Sequence, residues 1–253
     1  MNLKKATVVV IALYVLVSCS LLHADQQPSP DPADLTSAQS FIWAQGGMSS
    51  SKAEDNRTSM GVGKLTGGIS GAFNESSQYL GLLEQGFNND GTADTRGRLF
   101  TVFDTGSHLV SNIGVSVDYI RNAKSKDTTT AFGIIGKVET PVDWMTVFPN
   151  LALVESKIKG EGQVLKSKGY QFNLFNSFYI GDSGLYSMVS PQYTKLKDLS
   201  TTKLEISFGG PLTDSGKTWW DIKAGYTKLK GKKLLRGARA EEADVMVGVS
   251  HYF

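Results

Sequence analysis

The sequence predicts an all-β fold, a single antiparallel transmembrane β-barrel with twelve strands, on the strength of three observations. Short segments rich in β-branched and aromatic residues alternate with clusters of Gly, Asn, Asp, Ser and Lys, and no long segment shows the period of a helix. No uncharged run after residue 24 reaches the length of a membrane-spanning helix. The connections alternate between polar, charged stretches and tighter turns, as in barrels with longer loops on one side of a membrane. Ten strands is the alternative count, and a soluble β-sandwich would not sort its connections in this way.

The first 24 residues have the layout of a secretory signal peptide. Lys4 and Lys5 precede an apolar run that ends at Val17, which is shorter than the about 20 residues of a membrane span. Cleavage after Ala24 would leave a chain without cysteine, whereas processing at Cys19 would make a lipoprotein. Either removes two of the 26 basic residues and leaves 24 of each sign, so the charge gives no reason to expect nucleic acid as a partner.

The remaining chain divides into a tail and the barrel. Residues 25–38 contain three prolines and few apolar residues, so we expect a flexible periplasmic N-terminal tail. Residues 39–253 are expected to form the barrel. Its predicted strands lie near 39–48, 58–71, 76–87, 96–104, 108–120, 129–139, 143–156, 168–181, 184–196, 201–210, 216–228 and 243–253.

Alternation within the strands predicts which side chains face inward. In 203–208, Leu204, Ile206 and Phe208 alternate with Lys203, Glu205 and Ser207, whereas 76–87 and 143–156 give no clear outward face. The charged residues predicted to line the lumen are Asp118, Lys137, Lys203, Glu205, Asp221 and Lys223, together with Lys64 and Glu84. Four residues of each sign predict either a weakly selective lumen or one that is closed by ion pairs across it.

The last nine residues, VMVGVSHYF, form an alternating apolar run that ends on an aromatic residue. With Gly248 and the terminal Phe253, this run resembles the C-terminal strand that Gram-negative outer-membrane proteins present to the barrel-assembly machinery. His251 departs from the pattern, since Tyr or Phe is more usual there. The resemblance implies a bacterial outer-membrane location, an assembly signal at Gly248, His251 and Phe253, and lipid and lipopolysaccharide as surroundings. It leaves the oligomeric state open.

The histidine and cysteine inventory gives no reason to expect catalysis, a cofactor or a metal site. After residue 24 the only histidines are His108 and His251. Some barrel lipid-A deacylases carry a His-x-Ser-Asn run, but here Ser111 follows His108 by three positions. On a strand these two side chains would face opposite sides, so they would not form a nucleophile and base pair.

The predicted function is a small, weakly selective porin-like channel for low-molecular-weight polar solutes, by analogy with the architecture. The alternatives are a closed structural or surface-interaction barrel and, third, a lipid- or lipopolysaccharide-modifying enzyme. The last external connection, 228–242, is basic. Lys230, Lys232, Lys233 and Arg236 are therefore predicted to contact lipopolysaccharide phosphates, with loop solubility as the competing explanation.

Overall fold

Twelve antiparallel strands close into one barrel, as the sequence predicts. The computed structural model describes residues 30–53, 56–89, 91, 94–160, 163–231 and 239–253, so the predicted signal peptide lies outside the described residues. Within these ranges no helix has the length and apolar character needed to cross a membrane. The strands are β1 Phe41–Ala53, β2 Asn56–Asn74, β3 Ser77–Asn88, β4 Asp94–Asp104, β5 Val110–Asn122, β6 Thr128–Glu139, β7 Met145–Gly160, β8 Gln163–Ile180, β9 Leu185–Leu196, β10 Leu199–Pro211, β11 Thr218–Gly231 and β12 Arg239–Tyr252.

The barrel closes where its first and last strands pair. β1 and β12 are antiparallel, with Phe41 opposite Tyr252 and Ala53 opposite Ala240. Beyond the strand, the Phe253 N–H donates to the Ser40 carbonyl oxygen at 3.1 Å. Pairing therefore continues to the last residue, and the sheet has no open edge.

The barrel wall is a single β-sheet, and the side chains on its two faces differ in solvent exposure. In β7, Leu151 and Leu153 are 57% and 71% exposed on the outside, whereas Phe148 and Val154 on the inside are 0% and 5% exposed. Because side chains alternate along a strand, this pattern supplies the outward face that the sequence left unassigned. Other apolar residues on the outer face include Leu99, Phe132, Leu204, Ile206, Ile222, Val245, Val247 and Val249.

The two ends of the barrel differ in what they hold. The terminal end carries the start of β1, the end of β12 and the turns 75–76, 105–109, 140–144, 181–184 and 212–217. The distal end carries the connections 54–55, 89–93, 123–127, 161–162, 197–198 and 232–238. Several of these distal connections are shorter than the gaps between the predicted strands. Polar segments there continue as paired strands, and they have no apolar face that would reveal a strand in the sequence.

Candidate functional site in the barrel lumen

Residues 30–40, the N-terminal segment, turn into the terminal end of the lumen. The segment is compact because two aspartates organise consecutive turns. Asp31 Oδ1 accepts the Ala33 N–H at 2.9 Å. Asp34 Oδ1 accepts both the N–H and the hydroxyl of Thr36, at 2.8 and 2.6 Å.

Polar groups of the barrel wall hold the segment in place. The Ser177 hydroxyl donates to the Ala33 carbonyl oxygen at 2.7 Å, and the Tyr179 hydroxyl donates to Asp31 Oδ2 at 3.0 Å. Lys137 Nζ lies 2.9 Å from Asp34 Oδ2. Burial raises the pKa of the Asp31 carboxyl above its usual value, although its hydrogen bonds from Tyr179 and from the Ala33 N–H act in the opposite direction.

Apolar contacts place the segment across the lumen. Ala33, which is fully buried, packs with Tyr186 of β9 and Trp219 of β11. Leu35 packs against a cluster of aromatic and aliphatic side chains on β4, β6 and β7, which comprises Phe100, Val102, Ile135 and Phe148. In a ring of twelve strands, β4 lies five strands from β9 and β6 lies five strands from β11, so the segment contacts parts of the wall that nearly face each other.

Residues 30–38 of the tail that we expected to be flexible contact the barrel wall. Residues 25–29 lie outside the described residues, but residues 30–38 are ordered by hydrogen bonds and burial. The prolines and low apolar content of the tail typify a linker, and only the barrel supplies the complementary surface for Ala33 and Leu35. A segment of this composition cannot form a core by itself, but it can complete one.

In the distal half, the predicted lumen residue Asp118 of β5 is held by two arginines of β4. Arg98 donates through Nε and Nη2 to its carboxylate, with the shortest distance 2.8 Å. Arg96 Nε donates to Oδ1 at 2.9 Å. One carboxylate thus faces two guanidinium groups on the neighbouring strand, and this stretch of wall carries a positive excess.

A second cluster joins three more of the predicted lumen residues. Glu205 of β10 accepts Lys203 Nζ at 2.7 Å and lies 3.2 Å from Lys223 Nζ of β11. All three side chains are partly buried, with exposed fractions of 34% for Lys203, 23% for Glu205 and 21% for Lys223. Again one carboxylate serves two cations on the same or an adjacent strand.

Asp221, the remaining predicted acidic residue of β11, bonds to uncharged donors on β1. Trp43 Nε1 donates to Oδ1 at 2.8 Å, and Gln45 Nε2 donates to Oδ2 at 3.1 Å. These bonds pass over Gly248 of β12, where a Cβ would overlap Asp221 Oδ1 and lie 2.7 Å from Trp43 Nε1. Glycine is therefore needed at position 248 for β1 to reach β11 inside the barrel.

The ion pairs follow the wall instead of bridging the lumen. Lys64 and Glu84, on the paired strands β2 and β3, approach to 3.7 Å. Lys137 is the exception, because it bonds to the N-terminal segment as well as to Glu139 of its own strand at 3.5 Å. The described charges therefore give the distal lumen a polar lining, whereas a chain segment fills the terminal end.

Sequence reasoning missed four of these inward side chains: Arg96, Arg98, Trp43 and Gln45. The signal for the arginines was present, since they share their parity with the inward Phe100 and Val102 in β4. It was hidden because that face mixes charged and aromatic residues. Trp43 and Gln45 lie in the first predicted strand, 39–48, for which no inward side chain was predicted.

The residues of the predicted assembly signal occupy three different environments. Gly248 faces inward below Trp43. His251 faces outward, with Nδ1 2.9 Å from the Thr218 hydroxyl and its ring edge-on to Phe253. Recognition of these residues by the assembly machinery stays a prediction.

The other predicted sites lie elsewhere in the chain. Lys230, expected in a loop, belongs to β11, and Lys232, Lys233 and Arg236 fall outside the described residues. His108 is exposed in the turn 105–109, and the Ser111 hydroxyl donates to Glu139 Oε1 at 2.7 Å, not to a histidine. Within the described ranges, no group of three or more His, Cys, Asp and Glu is arranged to hold a metal ion.

Comparisons with known proteins identify the fold. No family model and no curated protein matches the chain in sequence. Among solved structures, an outer membrane channel from Pseudomonas putida F1 matches with a TM-score of 0.66 and 9% identity, over 90% of this chain and 100% of that one. The NanC porin matches with a TM-score of 0.59 and 7% identity, over 84% and 100%. The KdgM porin matches with 0.53 and 12%, over 83% and 99%. The chain therefore shares the fold of outer-membrane channel barrels.

Proposed function

We propose that the protein is a porin-like channel of the bacterial outer membrane for low-molecular-weight polar solutes, and that its N-terminal segment is the closing element. The observation that carries the proposal is the division of the lumen. Its distal half is lined by charged and amide side chains such as Arg98, Asp118, Lys203 and Glu205. A polar, closed wall of this kind keeps a water path through lipid, whereas a purely structural barrel is served equally well by an apolar core.

Weak ion selectivity follows from the placement of the charges. Two carboxylates of the distal half, Asp118 and Glu205, each lie within 3.2 Å of two cations on the wall. A passing ion is therefore close to charges of both signs. At 0.1 M ionic strength, salt screens the remaining net electrostatic potential with a Debye length of about 10 Å. The lining therefore favours passage by size and polarity over strong discrimination by charge.

Transport on this proposal requires the N-terminal segment to leave the terminal end or to shift within it. The segment contributes only about eleven residues and a few bonds to the wall, chiefly those from Ser177, Tyr179 and Lys137. The segment leads directly into β1 at Ser40. The Ser40 hydroxyl also accepts the Ser70 N–H of β2 at 3.0 Å. Undocking therefore leaves the ring of strand pairs intact.

Single-channel recording in a planar bilayer tests the proposal. Three refolded proteins are compared: the chain from Asp25, the chain from Gln39, and a D34C/K137C variant joined by a short bis-maleimide. We expect brief openings for the first, larger and steadier conductance for the second, and loss of openings on cross-linking the third. A difference in gel mobility between unheated and heated samples verifies that each barrel is folded.

The same recordings address the closed-barrel alternative, which the segment across the lumen favours. If neither the chain from Asp25 nor the chain from Gln39 gives conductance steps while both are folded, the channel proposal is wrong. If both conduct equally, the lumen is open and the assignment of the segment as its closing element is wrong.

A further inference from the structure

The outer face of the barrel carries a dense cationic surface at one place. At the distal ends of β7, β8 and β9, six lysines point outward, five within the strands and one directly after β9. They are Lys157, Lys159, Lys166, Lys168, Lys195 and Lys197, here called the lysine patch. All but Lys195 are exposed. Among the described residues of these three strands, Glu155 is the one carboxylate on the outer face.

Glu155 offsets only part of this charge. Its two oxygens lie 3.9 Å from Lys157 Nζ and 3.2 Å from Lys168 Nζ. The nearby Asp127 accepts the backbone N–H of Lys159 at 2.7 Å. Lys157 and Lys166 are direct cross-strand partners, an arrangement of like charges that destabilises a sheet unless an anion lies between or above them.

The patch lies where a bilayer would place headgroups. A tilted strand crosses the hydrocarbon core in about 9–11 residues, and about eleven residues counted from Met145 at the terminal end reach Glu155. Directly below the lysines the outer face is apolar and aromatic, with Leu153, Tyr170 and Tyr193 all exposed. Aromatic side chains next to basic ones mark the boundary between hydrocarbon and headgroup.

We propose that the lysine patch is a binding site for the phosphorylated glycolipid headgroup of lipopolysaccharide in the outer leaflet. Adjacent strands are about 4.8 Å apart, so the patch presents several ammonium groups within the width of one such headgroup. Lysine binds phosphate as a strong point charge, and the acyl chains lie against Leu153 and Tyr170 below. The site is on β7–β9, away from the basic connection 228–242 predicted from the sequence.

The placement rests on the proposed outer-membrane location with both chain ends on the periplasmic side, which makes the distal end external. Binding itself is independent of conductance. A barrel that never conducts can still bind the glycolipid, and a conducting barrel can fail to bind it, so the two proposals can fail separately.

Lipid binding is measured by native mass spectrometry of the refolded full-length mature chain in detergent, with diphosphoryl lipid A as the probe. The test variant is K157Q/K166Q/K168Q, and the matched control is K52Q/R57Q/R121Q, three exposed cations on the outer face of β1, β2 and β5 that include the cross-strand pair Lys52 and Arg57. Each lysine near an anionic lipid surface contributes roughly fivefold to binding. We therefore expect the test variant to bind about tenfold to a hundredfold more weakly and the control to keep most of its affinity.

Three results would overturn the proposal. The first is equal binding by the wild type and the test variant. The second is equal binding of phosphatidylglycerol and lipid A, which would identify an unselective anionic surface. The third concerns orientation: a K159C variant must react with a membrane-impermeant maleimide on intact cells, and failure to label would place the patch on the wrong side.

Discussion

The two halves of the lumen are built from the same twelve strands but hold their contents differently. At the terminal end, aromatic and aliphatic side chains such as Phe148 and Trp219 surround a separate piece of chain. In the distal half, side chains such as Glu205 and Asp118 bond to cations of their own wall. Removing apolar side chains from water is favourable, so the terminal end is stabilised when the N-terminal segment packs into it. The paired charges of the distal half are stable in contact with water and need no such packing. The difference teaches that a barrel of intermediate width can be packed with apolar side chains at one end and lined with paired charges at the other.

The largest effect is expected from breaking the apolar end. The substitution Leu35→Asp introduces a carboxylate among Phe100, Ile135 and Phe148. An unpaired buried charge costs several kcal/mol, and each 1.4 kcal/mol is tenfold in an equilibrium, so the docked population should fall about tenfold or more. Single-channel recording should show a matching rise in open time. Leu35→Met, which conserves volume, should behave as the wild type; equal open times for the Asp and Met variants would contradict a docked segment.

A substitution in the distal half is expected to change the ion selectivity of the channel and to leave its open time unchanged. Glu205→Gln leaves Lys203 and Lys223 without their shared carboxylate. A unit charge at about 4 Å acts on an ion in water with about 1 kcal/mol, so the anion-to-cation permeability ratio should rise about two- to fivefold, as measured by the reversal potential in a salt gradient.

The outer face supplies the matched control for this substitution. Glu155 also bridges two lysines, Lys157 and Lys168, but it faces away from the lumen. Glu155→Gln should leave the reversal potential unchanged. If both glutamine variants shift it equally, the inward assignment of Glu205 is wrong.

A third substitution tests the boundary between the halves through the stability of the barrel. Gly248→Ala places a methyl group between Trp43 and Asp221, whose bond of 2.8 Å crosses this position. Loss of hydrogen bonding to a charged group costs about 1.5–3 kcal/mol, which urea unfolding of the refolded barrel in lipid should report. Gly46→Ala, on the outward face of β1 with open space around a Cβ, is the control. An equal loss of stability in both variants would mean that the effect belongs to glycine in strands and not to the contact across position 248.

The smallest effect concerns pH at the terminal end. Burial raises the pKa of docked Asp31 above its usual value of 3.8. The contribution of Asp31 to docking is therefore complete below that value and is lost as pH rises through the docked pKa. Asp31→Asn should close the channel slightly more than the wild type at pH 7, and the two should converge near pH 3. Because Asp34 and Lys137 form an ion pair in the same segment contact, only the difference between the two proteins is diagnostic; a difference that grows on acidification would contradict the shift.

Much of the wall could be read from the sequence, because alternation is a local property of a strand. Leu204, Ile206 and Phe208 had to share one face, and Lys203 and Glu205 the other, whatever the neighbours were. Strand ends were less predictable. In β7 and β8 the paired segments continue through Lys157 and Lys166, where polarity on the outer face mimics a loop.

What the sequence by itself determined is the closed, twelve-stranded barrel, the inward charges Asp118, Lys203, Glu205, Asp221 and Lys223, and a C-terminal strand that pairs to its last residue. The period of two, which is set by backbone geometry, carries that information. Only the tertiary structure decided that residues 30–40 enter the lumen, that Gly248 lets Trp43 reach Asp221, and that six lysines converge on β7–β9. These depend on strands far apart in the chain meeting at one place, and no local pattern records which surfaces will meet.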